Sequence, residues 1–464
     1  MTTRGVEWVE TQFGPRPEWT NEPDHEAILQ AARQALSLNE LCSVRFLAQG
    51  VFSRVYVISS LSEEYIFRLS LPMYRRWKTE SEIATMEWAR KNTSLPVPRV
   101  LAHMGDPSQA VGYEWIIMEK VSGKPLEEAW ADMDYPCKSR LIKQLAAFTA
   151  ATFEHKLRGM GSLYHCNSSL FPALPPGNLE EKTYTTSFDP YGEGSAGFPF
   201  RLGPGVCPLY LCPYLERDPQ GPFWTSRDWI ISLLRFARED LQTRLKEGTG
   251  NFVQGPEGVE AITILQRLGA LLDAFFPPHS ASEPEPTMLY HHGLNEKNIL
   301  VDDDGSITSV IDWEYISAMP LFLACDFPAE FLIDESYNTK PDMADYYGGD
   351  HDPRYWTHVR QYELTRLRED FLDEMKRLQP RVVEIFESTQ HQRDFFAAIT
   401  SCREHYGDPI MCEILNDWLT DMESGAADVM GLDERVFDAL NSADTLSERS
   451  EDMEGIEMED IEMG

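Results

Sequence analysis

Three side chains in LYHHGLNEKNILVDDDGSITSVIDWEY, which runs from Leu289 to Tyr315, are of types and spacings that could cooperate: His291, Asn298 and Asp312. Asn298 offers an amide oxygen and Asp312 a carboxylate. Magnesium takes oxygen donors in near-octahedral array, and usually only one or two of them come from protein side chains. A metal held this way beside a triphosphate is the chemistry of phosphoryl transfer. That chemistry asks a protein for a cover over the phosphates, a cation on them, metal ligands and a base for the acceptor hydroxyl. The plainer reading is an Asn and an Asp in two unrelated loops, but their joint spacing with His291 favours a shared site.

Asn298 and Asp312 can meet only if the chain between them folds back. NILVDDD reads as a strand, Gly305 as a turn and ITSVIDWE as a second strand, so a hairpin should return Asp312 to the neighbourhood of Asn298. Upstream, SVRFLAQGVFSRVYVISS and EYIFRLSL are rich in β-branched and aromatic residues and are separated by the turn-like SLSEE. RRWKTESEIATMEWARKN has helical spacing through Ile83, Met86 and Arg90. SLPVPRVLAHM and GYEWIIMEKVSG read as further strands. The order strand, strand, helix, strand, strand suits a small sheet crossed by one helix.

The rest of the chain reads mainly as helix. NEPDHEAILQAARQAL carries Ile28, Leu29, Ala32 and Leu36 on one stripe behind a capping Asn21. YPCKSRLIKQLAAFTAATFEHKL places Leu141, Leu145 and Phe148 on one face, and YELTRLREDFLDEMKRL does the same with Leu364, Leu367, Phe371, Met375 and Leu378. Residues 166–222 are rich in Pro, Gly, Ser and Tyr and read as an insertion loop, a candidate lid. The expected organisation is a helical extension over 1–40, an N-terminal lobe over 41–120, and a helical C-terminal lobe over 121–440 that contains the insertion and the metal-ligand region 289–330. An acidic, disordered tail over 441–464 follows. Its EGIEMEDIEMG alternates acids with Ile and Met, a pattern that could dock on a protein partner, although a solvated tail is the plainer reading.

HHGLNEKNILVDDDGSITSVIDWEY resembles the signature motif of the aminoglycoside phosphotransferase and choline-kinase-like family. That motif is H-x-D-x-x-x-x-N followed, a hairpin later, by I-D-W, I-D-F or I-D-L. The sequence most resembles a fungal branch, and the likeness extends through SEIATM, PVPRVLA, YEWIIMEKVSGKPL, GSLY, GPF and YWTHVRQYELTRLREDFLDEM, roughly residues 44–380. The resemblance implies an α+β, bilobal protein-kinase-like fold, with a small N-terminal β-sheet lobe and a larger, mainly helical C-terminal lobe. It also implies ATP and Mg2+ as cofactors, with the metal on Asn298 and Asp312. Gly50 falls in the phosphate-covering loop. Arg68 falls where the family carries a lysine for the phosphates, with a planar fork in place of a point charge. Glu82 falls where a helix glutamate pairs with that cation, with Glu80 as its rival. The backbone around Glu119 and Lys120 corresponds to the hinge that holds an adenine edge. His291 corresponds to a structural histidine that hydrogen-bonds the loop backbone, and Asp326 to a helix cap.

One position departs from that pattern. The family's catalytic Asp maps onto Gly293, which has no side-chain oxygen to take or orient the acceptor's proton, and loss of a general base costs about 10²–10⁴-fold. Three functions follow. The first is a Mg-ATP-binding kinase homologue with impaired catalysis, like a pseudokinase. The second is an active phosphotransferase acting on a hydroxyl of an unknown small-molecule acceptor, with Glu296 or His292 as substitute base. The third is an interaction scaffold that binds no nucleotide.

The bulk composition narrows the partners. With 41 basic and 76 acidic side chains, the net charge is -35. Nucleic acid and anionic membranes want a positive face, so neither is an expected partner. No run of about 18 apolar residues offers a membrane span, and MTTRGVEWVETQFGPRPEW has no apolar signal core. The eight scattered cysteines read as reduced thiols. Together these features point to the cytoplasm.

Overall fold

The computed structural model describes residues 5–11, 14–38, 41–61, 63–171, 199–212, 220–247, 256–278, 283–328, 332, 337–404, 408–425 and 429–439. The chain falls into two compact units, one drawn from residues 1–11, 15–229 and 279–388, the other from 12–14, 230–278 and 389–464.

The first unit opens with a two-stranded sheet, β1 (Val6–Thr11) and β2 (Gly14–Trp19), and helix α1 (His25–Leu36). Next come β3 (Ser43–Gln49), β4 (Ser53–Ser59), β5 (Glu64–Ser70), helix α2 (Trp77–Asn92), β6 (Val100–Met104) and β7 (Glu114–Glu119). These five strands form one antiparallel sheet in the order β3-β4-β5-β7-β6. Side chains alternate across the pleat. One face therefore carries Tyr56, Ile58, Phe67, Leu69, Trp115 and Ile117, packed against Ala27, Ile28 and Ala32 of α1. The N-terminal helix is thus part of the sheet's core rather than an appendage. Its cap is Asp24, whose carboxylate accepts from Glu26 N at 2.9 Å, and not the expected Asn21, which lies one turn too early.

Helix α2 is buried on nearly every side, between the sheet and a later strand, β10. Such a helix shows no clean apolar stripe. Its first residue follows Arg76, which supplies no cap of its own. Glu114 of β7 does that work instead, accepting from Arg76 N at 2.6 Å and from Thr79 Oγ1 at 2.5 Å.

Beyond β7 the chain crosses into the helical part through β8 (Lys124–Pro125), α3 (Leu126–Ala129), α4 (Tyr135–Glu154), β9 (Leu157–Arg158), β10 (Ser162–His165) and β11 (Phe200–Gly203). Within the expected insertion loop, β11 pairs with β10, and Pro208–Tyr210 form a turn of 3-10 helix. Residues 172–198 and 213–219 of that loop lie outside the described residues, as does the expected tail over 441–464.

The second unit is helical, with most of α5 (Ser226–Glu247) and α6 (Pro256–Phe275). The first unit resumes with β12 (Pro286–Tyr290), β13 (Ile299–Val301), β14 (Ile307–Val310), β15 (Ser317–Pro320), α7 (Leu321–Ala324), α8 (Pro353–Leu378) and α9 (Pro380–Ser388). The second closes with α10 (Gln390–Glu404) and α11 (Pro409–Ser424). In the first unit α4 packs along α8, burying Leu141, Leu145 and Phe148 on one helix and Leu364, Leu367, Phe371 and Met375 on the other. In the second unit Asp240, fully buried, is clamped by Arg244 at 2.8 Å and Arg403 at 3.3 Å.

The link between the sheet and the helical part is stitched to the hairpin that carries Asn298 and Asp312. β8 pairs with β13, and β13 with β14, in one three-stranded sheet. Ahead of β8, Gly123 has φ +121°, and a Cβ there would collide with Thr308 Oγ1. Thr308 Oγ1 donates to Ser122 O at 2.7 Å. Both the turn and the close approach require glycine.

Candidate functional site

The β13–β14 hairpin joins the two candidate metal ligands. Ile299 pairs with Val310, and Ile311 N donates to Asn298 O at 2.9 Å, so Asp312 leaves the ladder directly beside Asn298. Asn298 spends its Nδ2 on Gly293 O at 2.7 Å, which keeps its Oδ1 as the free end of the amide. Asp312 has φ +65°, a conformation uncommon outside glycine but tolerated by Asp, and of the kind that clusters at functional sites. The next residue, Trp313, is 2% exposed and donates Nε1 to Val310 O at 2.8 Å. The buried indole fixes the turn, while the Asp312 side chain stays 39% exposed.

Arg68 arrives from β5 on the sheet face opposite α1. Its Nη2 bonds Glu82 of α2, while Nη1 lies 3.5 Å from Asp312 Oδ1 and 3.4 Å from Glu314 Oε2. Lys78 Nζ sits 2.5 Å from the same Glu314 oxygen. Of the two helix glutamates weighed, Glu82 is the one beside Arg68; Glu80 is not part of this cluster and lines a separate cavity with His103 and His165. Arg68, Lys78, Glu82 and Glu314 are almost wholly buried.

Two cations against three carboxylates leave the cluster one negative charge in excess, and the carboxyls respond differently. Burial pushes Glu314 up, but the charges of Lys78 and Arg68 outweigh it and hold it below its ordinary range. Asp312 goes the other way, raised by its enclosed position and then by Glu314, against the pull of Arg68. Burial also holds the Glu82 carboxyl high, against the charge of Arg68. For Arg68 itself burial works against the charge, and the three carboxylates overcome it.

The remaining expected residues are placed less uniformly. His291 is buried with its ring 5.0 Å from that of Trp313. Neither ring nitrogen makes a hydrogen bond of regular geometry among the described residues. Burial, and then the charge of His292, bring its pKa down to about 3, against the backbone of His291 itself and of Ile311, which pulls it up. Its ring packs edge-on against Trp313, beside the Asp312 turn. Gly50 is exposed in the short connection between β3 and β4, its N–H on Ser53 O at 2.9 Å. Neighbouring Phe52 packs edge-on against Tyr315, ring centres 4.8 Å apart. Glu119 N donates to Arg99 O at 3.0 Å, so that N–H is not available to an adenine edge, and the backbone beyond it is what the linker can offer. Lys120 reaches back to Glu64 at 2.5 Å.

Gly293 has room for a side chain. A Cβ there would meet Asn298 Nδ2 at 3.4 Å and His291 Cε1 at 3.8 Å, both ordinary contacts, and its φ is not in the left-handed region. Glycine is therefore not required by the backbone. Of the substitutes considered, Glu296 is turned toward Arg360 at 3.7 Å, and His292 packs edge-on against Tyr290. Neither interaction is with the Asp312 cluster.

Residues 43–327 match the Phosphotransferase enzyme family. The chain belongs to this family. Among its relatives, a subtelomeric hrmA-associated cluster protein of Aspergillus fumigatus is 26% identical over 305 residues, 61% of this chain and 59% of that protein. The altered inheritance of mitochondria protein 9, mitochondrial, of Saccharomyces cerevisiae is 22% identical over 335 residues, 64% of this chain and 52% of that protein. The chain thus spans little more than half the length of these relatives. Among solved structures, the streptomycin-ATP-APH(2")-IIa ternary complex superposes with a TM-score of 0.44 at 12% identity, covering 87% of this chain and 97% of that one. Aminoglycoside phosphotransferase APH(4)-Ia gives 0.40 at 14% identity, covering 84% and 98%.

The chain has the α+β architecture expected from the sequence: an antiparallel N-terminal sheet with a helix between its third and fourth strands in sequence, then a helical region. Glu314 and Lys78 were missed by sequence reasoning. Both had a signal. Glu314 lies two residues past Asp312, and Lys78 precedes Glu82 by four, which puts them on one helix face.

Proposed function

We propose that this phosphotransferase-family chain binds Mg-ATP at the Arg68–Asp312–Asn298 cluster and that phosphoryl transfer from it is impaired at Gly293. One observation carries the reading: Asn298 lies beside an intact Asp312 and donates to Gly293, a glycine at which an added β-carbon would make only ordinary contacts. The residues present suit the ligand. Arg68 Nε is buried and has no hydrogen-bond partner among the described residues, a donor that a phosphate oxygen would satisfy. Asn298 Oδ1 and the Asp312 carboxylate present two oxygens for a cation. Among the described residues no group of three or more His, Cys, Asp or Glu is placed to cage a metal. Magnesium commonly takes one or two protein oxygens.

When bound, the magnesium triphosphate supplies the electrophilic phosphorus and offsets charge during transfer. The protein's own part is positional. Glu82 fixes Arg68, the Trp313 anchor fixes Asp312, and Gly293 O fixes the Asn298 amide. At position 293 no side chain holds an acceptor hydroxyl, and Glu296 is engaged elsewhere. The acceptor remains an unassigned hydroxyl compound. Calorimetric titration of Mg-ATP into wild type and Asp312→Ala tests the reading. Saturable binding by wild type that is lost in the variant is the expected result; equal binding, or none by wild type, overturns it.

A further inference from the structure

Lys78 has no part in the nucleotide reading above, yet it is 1% exposed at its side chain. An amine so enclosed needs a counter-ion. Its Nζ has Glu314 Oε2 at 2.5 Å and lies 5.1 Å from the Tyr315 ring centre. The same Glu314 oxygen takes Arg68 Nη1 at 3.4 Å, and that nitrogen reaches Asp312 Oδ1 at 3.5 Å. The four groups form one chain, Lys78–Glu314–Arg68–Asp312, and Glu82 holds the other arm of Arg68. Lys78 is too buried to touch a ligand, so whatever it does is done through Glu314.

We propose that Lys78 is a positioning residue: by neutralising Glu314 it keeps Arg68 shared between Glu314 and Asp312, at the spacing the metal–nucleotide site uses. Without Lys78 one cation faces three carboxylates, and Glu314 draws Arg68 Nη1 onto itself and away from Asp312. Helix α2 is then tied to the Asp312 turn through two residues on one face. Glu82 sets where the guanidinium sits, and Lys78 sets which carboxylate it leans on. The functional consequence rests on the nucleotide reading; the geometric one does not.

The test uses Lys78→Met, Lys78→Arg and the double variant Lys78→Met/Glu314→Gln in the full chain. Each is crystallised, and each is titrated with ADP in the presence and absence of Mg2+. In Lys78→Met, Arg68 is expected to leave Asp312 for Glu314. Affinity for Mg-ADP falls about tenfold or more, a loss of about 1.4 kcal/mol or more, and affinity for metal-free ADP falls less. Adding Glu314→Gln restores both, because a neutral amide needs no counter-ion, and Lys78→Arg retains most of the affinity. A lysine that only fills space would lower stability without separating the two ADP titrations. Arg68 unmoved in Lys78→Met, or an unchanged Mg-ADP affinity there, overturns the proposal. Should Lys78→Met fail to fold, Lys78→Gln takes its place with the same expected outcomes. If wild type binds no nucleotide while Arg68 moves, the nucleotide reading fails and the positioning stands.

Discussion

The Asn298 side-chain amide donates to the carbonyl of Gly293 at 2.7 Å and lies 3.4 Å from the point where a β-carbon on Gly293 would sit. Position 293 therefore admits a β-carbon beside the Asn298 amide. Gly293→Asp should fold and melt like wild type, because the added Cβ makes only ordinary contacts and no left-handed φ is involved. If impaired transfer has its cause here, ATP turnover should rise by about 10²–10⁴, the range supplied by a positioned general base. Steady-state hydrolysis of ATP, with water as acceptor, measures it. No gain in a well-folded variant would mean that the missing carboxylate is not what limits the chain.

Asp312 gives the complementary prediction. Mg-ATP at a hundredfold excess over its Kd should stabilise wild type by about 2.7 kcal/mol, read as a rise in melting temperature. Asp312→Ala should lose the magnesium-dependent part of that rise while keeping a folded baseline, since its side chain is 39% exposed and the buried Trp313 holds the turn. A thermal shift that is the same with Mg2+ and with EDTA in wild type would contradict it.

How much of this was readable in the sequence depended on whether the signal was local. The β13–β14 hairpin was, because its strands, its glycine turn and its two polar ends lie within a few residues of one another. The N-terminal sheet was too, from its β-branched runs. Glu314, Lys78 and Glu114 were not. Spacing marks Glu314 beside Asp312 and Lys78 on the face of Glu82, but a charged residue in a helix or strand ordinarily faces water, and nothing local says that these three are buried against partners 35 to 246 residues away. Burial of α2 on both sides also erased the stripe that would have marked its inner face. The cap of α1 shows the reverse error: Asn21 and Asp24 are both good caps, and only the backbone decides between them.

Gly123 tests the seam between sheet and hairpin. Gly123→Ala places a side chain at φ +121° and against Thr308 Oγ1. Backbone strain of that kind costs about 1–3 kcal/mol, and the collision adds to it. Denaturant unfolding should show the loss. Thr308→Ala in the same chain should recover only the part due to the collision, because the backbone strain remains. Full recovery would place the whole cost in the contact.

Glu114 makes a prediction in pH. Its carboxyl caps α2 from a neighbouring strand, and burial raises its pKa above the ordinary 4.5, opposed by the bonds from Thr79 and Arg76 and by the charges of Lys78 and Arg75. An acid whose pKa is higher folded than unfolded binds its proton more tightly in the folded state. Below about 4.5 both states are protonated and the shift contributes nothing. As pH rises from there through the folded value, the unfolded chain releases its proton first, and the folded state loses stability. Glu114→Gln keeps an acceptor for Arg76 N and carries no titrating group. Its melting temperature relative to wild type should therefore climb as pH rises above about 4.5 and level off once wild-type Glu114 is ionised in both states. The difference between the two proteins, measured across that interval in one buffer series, cancels every other titrating group they share. A flat difference would show that the capping carboxyl has the same proton affinity folded and unfolded. A falling one would show that the bonds from Thr79 and Arg76 outweigh its burial.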